Sequence, residues 1–254
     1  MNVGMIVTDL DNTLLRNDKT ISDYTVSVLD KCRAKGLKTV YATARSLPAV
    51  SKFFDIFTPD VFIGYGGSLA VYNGKIILRH DIPADTSFQL ISECLNEPAV
   101  STIHAINESA AHTNRPDPAD LSMSHYRYID LTKNNNISYL KITVTSMYPD
   151  IVERIAGKFP TLDMLRYTGE NMYRFANRNA VKWNAVRGVA EYFNIDTASV
   201  VAFGDDTNDL EMLMNCGVGI AVANAIGEVK ASADYISESN ENDGVAKWLE
   251  SHIL

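Results

Sequence analysis

Short apolar runs alternate with segments of helical spacing along the first third of the chain. Val3–Thr8 is rich in β-branched residues, the pattern of a strand buried on both faces. Ser22–Lys35 places Val26, Leu29 and Cys32 at helical spacing and is followed by Gly36, a helix stop. Leu37–Ala42 reads as a second strand, Pro48–Phe54 as a second helix and Val61–Gly64 as a third strand. Leu69–Tyr72 and Lys75–Leu78 flank Asn73-Gly74, the dipeptide of a tight hairpin. The last third repeats the alternation, with helices over Ala180–Tyr192, Asn208–Met214, Ile226–Ala231 and Gly244–Ser251. Its strands are Ser199–Phe203, Val218–Val222 and Tyr235–Ile236. Strands that alternate with helices predict an α/β fold, a doubly wound parallel sheet covered on both faces.

The middle breaks this rhythm. Helical patterns over Ser87–Leu95 and Ile151–Phe159 are outnumbered by strand patterns over Ser101–Ile106, Tyr126–Leu131, Ile137–Ser146, Asp163–Arg166 and Met172–Phe175. Adjacent strands with few helices between them predict an antiparallel α+β unit. Ala111–Ser124, polar and carrying two prolines, reads as an exposed loop. A length of 254 residues allows one to two domains at roughly 150 residues each. The expected organisation is a core of residues 1–80 and 179–254 with residues 81–178 inserted as a second domain. Ile82-Pro83 and Asn177-Arg178-Asn179 are the linkers.

Composition narrows the partners. Lys and Arg number 23 against 31 Asp and Glu, a formal net charge of −8. That balance lacks the basic footprint of a nucleic-acid or anionic-membrane surface. No segment reaches the ~18 apolar residues of a membrane span. The N-terminus has no basic start, and its apolar stretch is broken by Asp9 and Asp11, so a signal peptide is not expected and the default setting is cytoplasmic. Cys32, Cys94 and Cys216 are too scattered for a zinc site or a disulfide framework. His104, His112 and His125 lack metal-ligand spacing.

Three clusters of chemistry fall at the predicted C-terminal ends of strands, where open α/β sheets bind ligands. Asp9-Leu10-Asp11-Asn12-Thr13 follows the first strand. In extended backbone Asp9 and Asp11 face one side, and two carboxylates that close need a cation or a shared proton. Thr43-Ala44-Arg45 follows the second strand, where a hydroxyl and backbone N–H groups suit a phosphate oxygen. Gly204-Asp205-Asp206-Thr207-Asn208-Asp209 follows a late strand; helix capping accounts for one or two of these residues but not the whole polar run. Carboxylates of this kind suit a hard cation such as Mg²⁺. Lys182 stands in a first helical turn and by itself reads as a solvated surface lysine.

Together these residues resemble the haloacid dehalogenase superfamily, in its Cof-type phosphatase branch. DLDNT resembles the family's first motif, DxDxT; Thr43, Lys182 and GDDTND resemble the second, third and fourth. Ala221–Ala225, Glu228–Lys230 and Glu241–Ala246 also resemble that branch. The chain departs from it at Ala44 and Trp183, where glycine is usual, and at Gly66-Gly67, where Asn-Gly is usual. The resemblance implies a Rossmann-like core and an inserted cap that closes over substrate. It implies a cytoplasmic, Mg²⁺-dependent phosphatase of small phosphorylated metabolites, a monomer or a homodimer. By the same resemblance Asp9 is the nucleophile and Asp11 the acid and base. Thr43, Ala44, Lys182 and Asn208 hold the phosphate, with Asn224 nearby. Asp9, the Asp11 backbone, Asp205 and Asp209 hold the metal. Tyr126, Tyr128 and Arg174 are candidate selectors of the leaving group. Two other readings use the same motifs: a phosphotransferase or phosphomutase, and a non-catalytic metabolite-binding module.

Overall fold

A computed structural model describes residues 2–115, 126–128, 131–133, 136–167 and 169–254. The chain divides into two compact units, Met1–Arg79 with Val181–Leu254, and His80–Ala180.

In the first unit the strands are β1 (Met5–Thr8), β2 (Lys38–Ala42), β3 (Val61–Gly64), β4 (Leu69–Tyr72) and β5 (Lys75–Arg79) before the insertion. After it come β12 (Val200–Gly204), β13 (Val218–Ala221) and β14 (Tyr235–Ile236). They form an eight-stranded sheet in the order β14-β13-β12-β1-β2-β3-β4-β5. Pairing is parallel from β14 to β3; the hairpin strands β4 and β5 add antiparallel to that edge. β1, β2, β3 and β12 carry almost wholly buried side chains, as strands covered on both faces must.

The helices are α1 (Asp23–Ala34), α2 (Leu47–Phe54), α5 (Lys182–Tyr192), α6 (Leu210–Asn215), α7 (Gly227–Ser232) and α8 (Gly244–His252). Ser22 caps α1 by accepting from the Thr25 N–H. α1 packs on α8, while α5, α6 and α7 form a second group. Among the described residues no helix is long and apolar enough to cross a membrane.

The second unit contains α3 (Ala84–Leu95), β6 (Val100–Ile106), β7 (Ala111–Thr113), β8 (Tyr126–Tyr128), β9 (Lys141–Ser146), α4 (Pro149–Ala156), β10 (Leu162–Arg166) and β11 (Met172–Asn177). The sheet order is β10-β11-β9-β6-β7-β8, antiparallel except between β7 and β8. Alternate residues Ile103 and Ala105, Ile142 and Val144, and Tyr173 and Phe175 share a core with Leu90, Ile91 and Cys94 of α3 and Val152 and Ile155 of α4.

Three expectations for this unit are corrected. Ala111–Thr113 is a buried strand, not part of an exposed loop; His112 and Thr113 hide their polarity because His112 Nδ1 meets the Tyr139 hydroxyl at 2.9 Å and Thr113 donates to the Arg115 carbonyl. The rest of that loop, with His125, lies outside the described residues. The strand expected from Ile137 begins at Lys141, because Tyr139 pairs with Ile82 instead. Leu131 stands in a short 3₁₀ turn, Leu131–Lys133, and not in β8.

Candidate active site

Strand order reverses at β1, which has β2 on one edge and β12 on the other. A crevice opens at the C-terminal ends of strands at such a switch point. Thr8 is paired with Phe203, and the Asp9 N–H continues the ladder to the Phe203 carbonyl at 3.0 Å. Asp9 follows the end of β1 directly, and Asp205 follows the end of β12.

After Asp9 the chain enters one wide turn, Leu10–Leu14, closed by the Leu15 N–H on the Leu10 carbonyl at 2.8 Å. Leu10, Leu14 and Leu15 anchor this turn in the core. Asn12 sits at its apex with φ 57°, a left-handed conformation that asparagine tolerates. The turn carries Thr13 back to donate to Asp205 Oδ1 at 2.9 Å. It also separates the partners of Asp9 and Asp11. Asp9 is hydrogen-bonded to Lys182, and Asp11 to Arg45 and Lys19.

The partner of Asp9 is Lys182. Its Nζ lies 2.6 Å from Asp9 Oδ1 and 2.7 Å from Asp209 Oδ1, with Asn208 Oδ1 at 3.5 Å. The lysine is 2% exposed, so the surface role that its type suggests is overturned. A buried ammonium is tolerable only when paired, and two carboxylates supply the pairing. Gly67 helps to seat it. At φ +105° a Cβ on this residue would stand 2.4 Å from the Val181 carbonyl, so only glycine lets the β3–β4 turn pass so close to the start of α5. That same turn holds Thr43–Arg45, through the Tyr65 N–H on the Arg45 carbonyl and the Gly66 N–H on the Thr43 carbonyl.

Asp209 is wholly buried. Its Oδ2 accepts from the backbone N–H groups of Asp205 and Asp206, and Asp206 caps the same turn. Asp209 therefore braces the turn that presents Asp205, and Oδ1 alone keeps a lone pair beyond its protein partners. A Cβ on Gly204 would fall 2.5 Å from Asp209 Cβ. Gly204→Ala is expected to cost about 1–3 kcal/mol and to lower activity by displacing Asp209. Thermal denaturation beside a turnover assay checks it, and an unchanged melting temperature would refute the packing argument.

Three carboxylates and one ammonium leave surplus negative charge. Burial raises the Asp9 pKa well above the carboxylate range; Lys182 opposes this, while Asp209 and Asp205 add to it. Asp205 is pushed up to about 7, first by burial and then by Asp209. The Lys182 pKa moves up, because the two carboxylates outweigh its desolvation, so the lysine stays charged.

Asp11 is held differently. Arg45 reaches it through Nε to Oδ2 at 2.6 Å and Nη2 to Oδ1 at 2.7 Å, and Lys19 Nζ reaches Oδ1 at 2.9 Å. Burial raises its pKa, but the hydrogen bonds from Arg45 and Lys19 prevail and hold it at about 2. Asp11 is thus a carboxylate here with little affinity for a proton, and the approach of a phosphate dianion would favour its protonated form. Thr43 is buried, and its hydroxyl accepts from the Arg45 N–H at 3.1 Å, which shapes the turn around Ala44. Asn224 donates to the Asn12 carbonyl at 2.7 Å and so braces the turn after β1.

Sequence reasoning did not assign a role to Arg45, Lys19 or Thr13. Arg45 had a signal in its place two residues after Thr43. Lys19 had none, because nothing local shows that its loop folds back on Asp11.

The carboxylate oxygens of Asp9, Asp205 and Asp209 lie within 4.8 Å of one another. All are hard oxygen donors, and the cluster has more negative charge than Lys182 balances. These residues fit a small divalent cation such as Mg²⁺.

A doubly wound core, interrupted by an α+β insertion and carrying acidic groups at its switch point, defines an α/β enzyme. The profile of the haloacid dehalogenase-like hydrolases matches residues 6–249. The chain belongs to that family and is a hydrolase. YxeH of Bacillus subtilis is 28% identical over 271 residues, covering 98% of both chains. The 5-amino-6-(5-phospho-D-ribitylamino)uracil phosphatase YbjI of Escherichia coli is 25% identical over 255 residues, covering 96% of this chain and 94% of its own. The solved structure of the sugar phosphatase BT4131, of subclass IIB, superposes with a TM-score of 0.85 at 21% identity, covering 98% of each chain; this likeness is one of fold.

Proposed function

We propose that this hydrolase is a Mg²⁺-dependent phosphatase that cleaves phosphate monoesters of small metabolites through an aspartyl-phosphate on Asp9. The observation that carries the reading is the convergence of Asp9, Asp205, Asp209 and Lys182 at the switch point, one buried ammonium among three carboxylates. The Asp9 carboxylate attacks phosphorus, and the bond from phosphorus to the ester oxygen breaks. Asp11 gives the departing alkoxide its proton. It then removes a proton from the water that attacks the same phosphorus and frees Asp9. Lys182, Thr43, Asn208 and the backbone around Ala44 bind and orient the phosphoryl oxygens. Asp9, Asp205 and the Asp11 backbone carbonyl would hold the cation, with Asp209 as brace. Bound there, Mg²⁺ offsets the repulsion between carboxylate and phosphate and stabilises the charge of the transition state.

The unit Met1–Arg79 with Val181–Leu254 is the catalytic core in this reading, and His80–Ala180 selects the leaving group. A phosphatase of a phosphorylated uracil derivative among the similar proteins supports a small phosphorylated metabolite as substrate. Free, buried Cys32 and Cys94 suit a reducing, cytoplasmic setting.

Phosphate release across a panel of sugar phosphates and phosphorylated cofactors tests the activity. Isomer formation in place of free phosphate would point instead to a mutase. Chelation is expected to abolish release while far-UV circular dichroism stays unchanged, and added Mg²⁺ to restore it. A pH scan gives a second check on the metal. The folded Asp205 pKa lies above its ordinary value, so between pH ~4 and ~7 the folded chain holds a proton that the unfolded chain does not. Without divalent cation the melting temperature should therefore rise as pH falls through 7. With Mg²⁺ that rise should flatten, because cation and proton compete for one carboxylate. Equal slopes in both conditions would count against a metal at Asp205.

A further inference from the structure

Asp11 offers about four lone-pair positions, two on each oxygen. Lys19 Nζ and Arg45 Nη2 take both positions on Oδ1, and Arg45 Nε takes one on Oδ2. The position that stays open is on Oδ2. Arg45 alone would fix the carboxylate plane but leave each oxygen with one open position. Lys19 removes that symmetry.

The backbone around Lys19 is costly to hold. Lys19 has φ 65°, a conformation that L side chains rarely adopt and that persists only where the surroundings over-determine it. Here they do. The Lys19 N–H donates to the Arg16 carbonyl at 2.9 Å, and the Arg16 N–H to the Thr20 carbonyl at 3.0 Å. Asp18 Oδ1 accepts from both the N–H and the hydroxyl of Thr20.

The whole loop is tied to the segment before α8. Arg16 pairs with Asp243 Oδ2 at 2.8 Å, the Asn17 N–H donates to Glu241 Oε1 at 2.6 Å, and Asn240 Nδ2 donates to the Leu15 carbonyl and to Asn17 Oδ1. Asp243 also accepts from Ser22 and Thr25. These contacts account for part of the Glu241–Ala246 stretch, which has no place in the phosphate or metal sites. The Lys19–Asp11 pair itself joins two partly exposed side chains and adds little to stability.

We infer that Lys19 is a positioning residue for Asp11: it closes Oδ1 and commits Oδ2 to proton transfer with the leaving group. The segment from Asn240 to Asp243 holds the loop that presents it. This inference rests on the reading of Asp11 as the general acid.

The test compares kcat/KM for glycerol 2-phosphate, whose alkoxide needs a proton to leave, with kcat/KM for 4-nitrophenyl phosphate, whose phenolate leaves without one. Lys19→Met should lower the first by about tenfold or more and the second by less than about threefold. In an Asp11→Asn background, Lys19→Met should cause no further loss on glycerol 2-phosphate. Equal losses on both substrates, or the same loss with Asp11 already replaced, would overturn the inference. If Asp11→Asn itself shows no dependence on the leaving group, the assignment of Asp11 as acid fails, and the inference with it. A discriminating Asp11→Asn beside an indifferent Lys19→Met overturns the inference alone.

Discussion

Asp9→Asn is expected to lose essentially all phosphate release, about 10⁴-fold or more, while the chain still folds. The amide matches the carboxylate in shape but is a poor nucleophile. The fold should survive because the replacement removes a negative charge from a cluster with a surplus. Burial and the neighbouring Asp209 and Asp205 already disfavour an ionised Asp9, and Lys182 keeps Asp209 as a partner at 2.7 Å. Steady-state turnover on the best substrate of the panel, beside circular dichroism and a melting curve, makes the comparison. Residual turnover within about a hundredfold of the parent would sink the nucleophile assignment.

Lys182→Met tests the same cluster from the other side and should be costly in two currencies. Activity should fall to the level of Asp9→Asn, because the phosphate loses its buried cation. Stability should also fall, by about 3–5 kcal/mol, since removing one partner of a buried ionic network strands the others. For a chain of this size that corresponds to a drop of roughly 6–20 °C in melting temperature. The loss should be larger at pH 8 than at pH 5, because at the lower pH Asp205 and Asp9 relieve the repulsion by taking up protons. Mg²⁺ should recover part of the stability and none of the turnover. A melting temperature equal to that of the parent at pH 8 would show that the three carboxylates do not depend on this ammonium.

The core was readable in the sequence wherever burial leaves a simple pattern. β1, β2, β3 and β12 are uninterrupted apolar runs because both of their faces are covered, and the acidic motifs stand directly after such runs. β7 was hidden because its burial is achieved with histidine and threonine, whose polarity is met by partners elsewhere in the chain. Lys182 was legible as a motif residue but not as a buried one. What makes its burial possible is Asp9, 173 residues away, and Asp209, 27 residues away. The extended backbone expected from Asp9 to Asp11 ends at Leu10. There the chain leaves the strand conformation, and Asp11 is delivered to Arg45 and Lys19. Pattern and spacing report local backbone well. They are silent on which distant charge completes a buried one.

The placement of β1 between β2 and β12 also bears on how the protein is made. One edge of β1 finds its neighbour within the first 42 residues, but the other waits for β12, which begins at Val200. At translation rates of about 5–20 residues per second, that edge stays open for roughly ten to forty seconds while the chain between β1 and β12, the inserted unit included, is being synthesised. During that interval Met5–Thr8 is an apolar strand with unpaired backbone, and a ribosome-bound chain is at its most aggregation-prone. Asp9 and Asp11, immediately downstream, then act as charged gatekeepers at the end of the exposed strand, well before they meet Lys182 or Arg45.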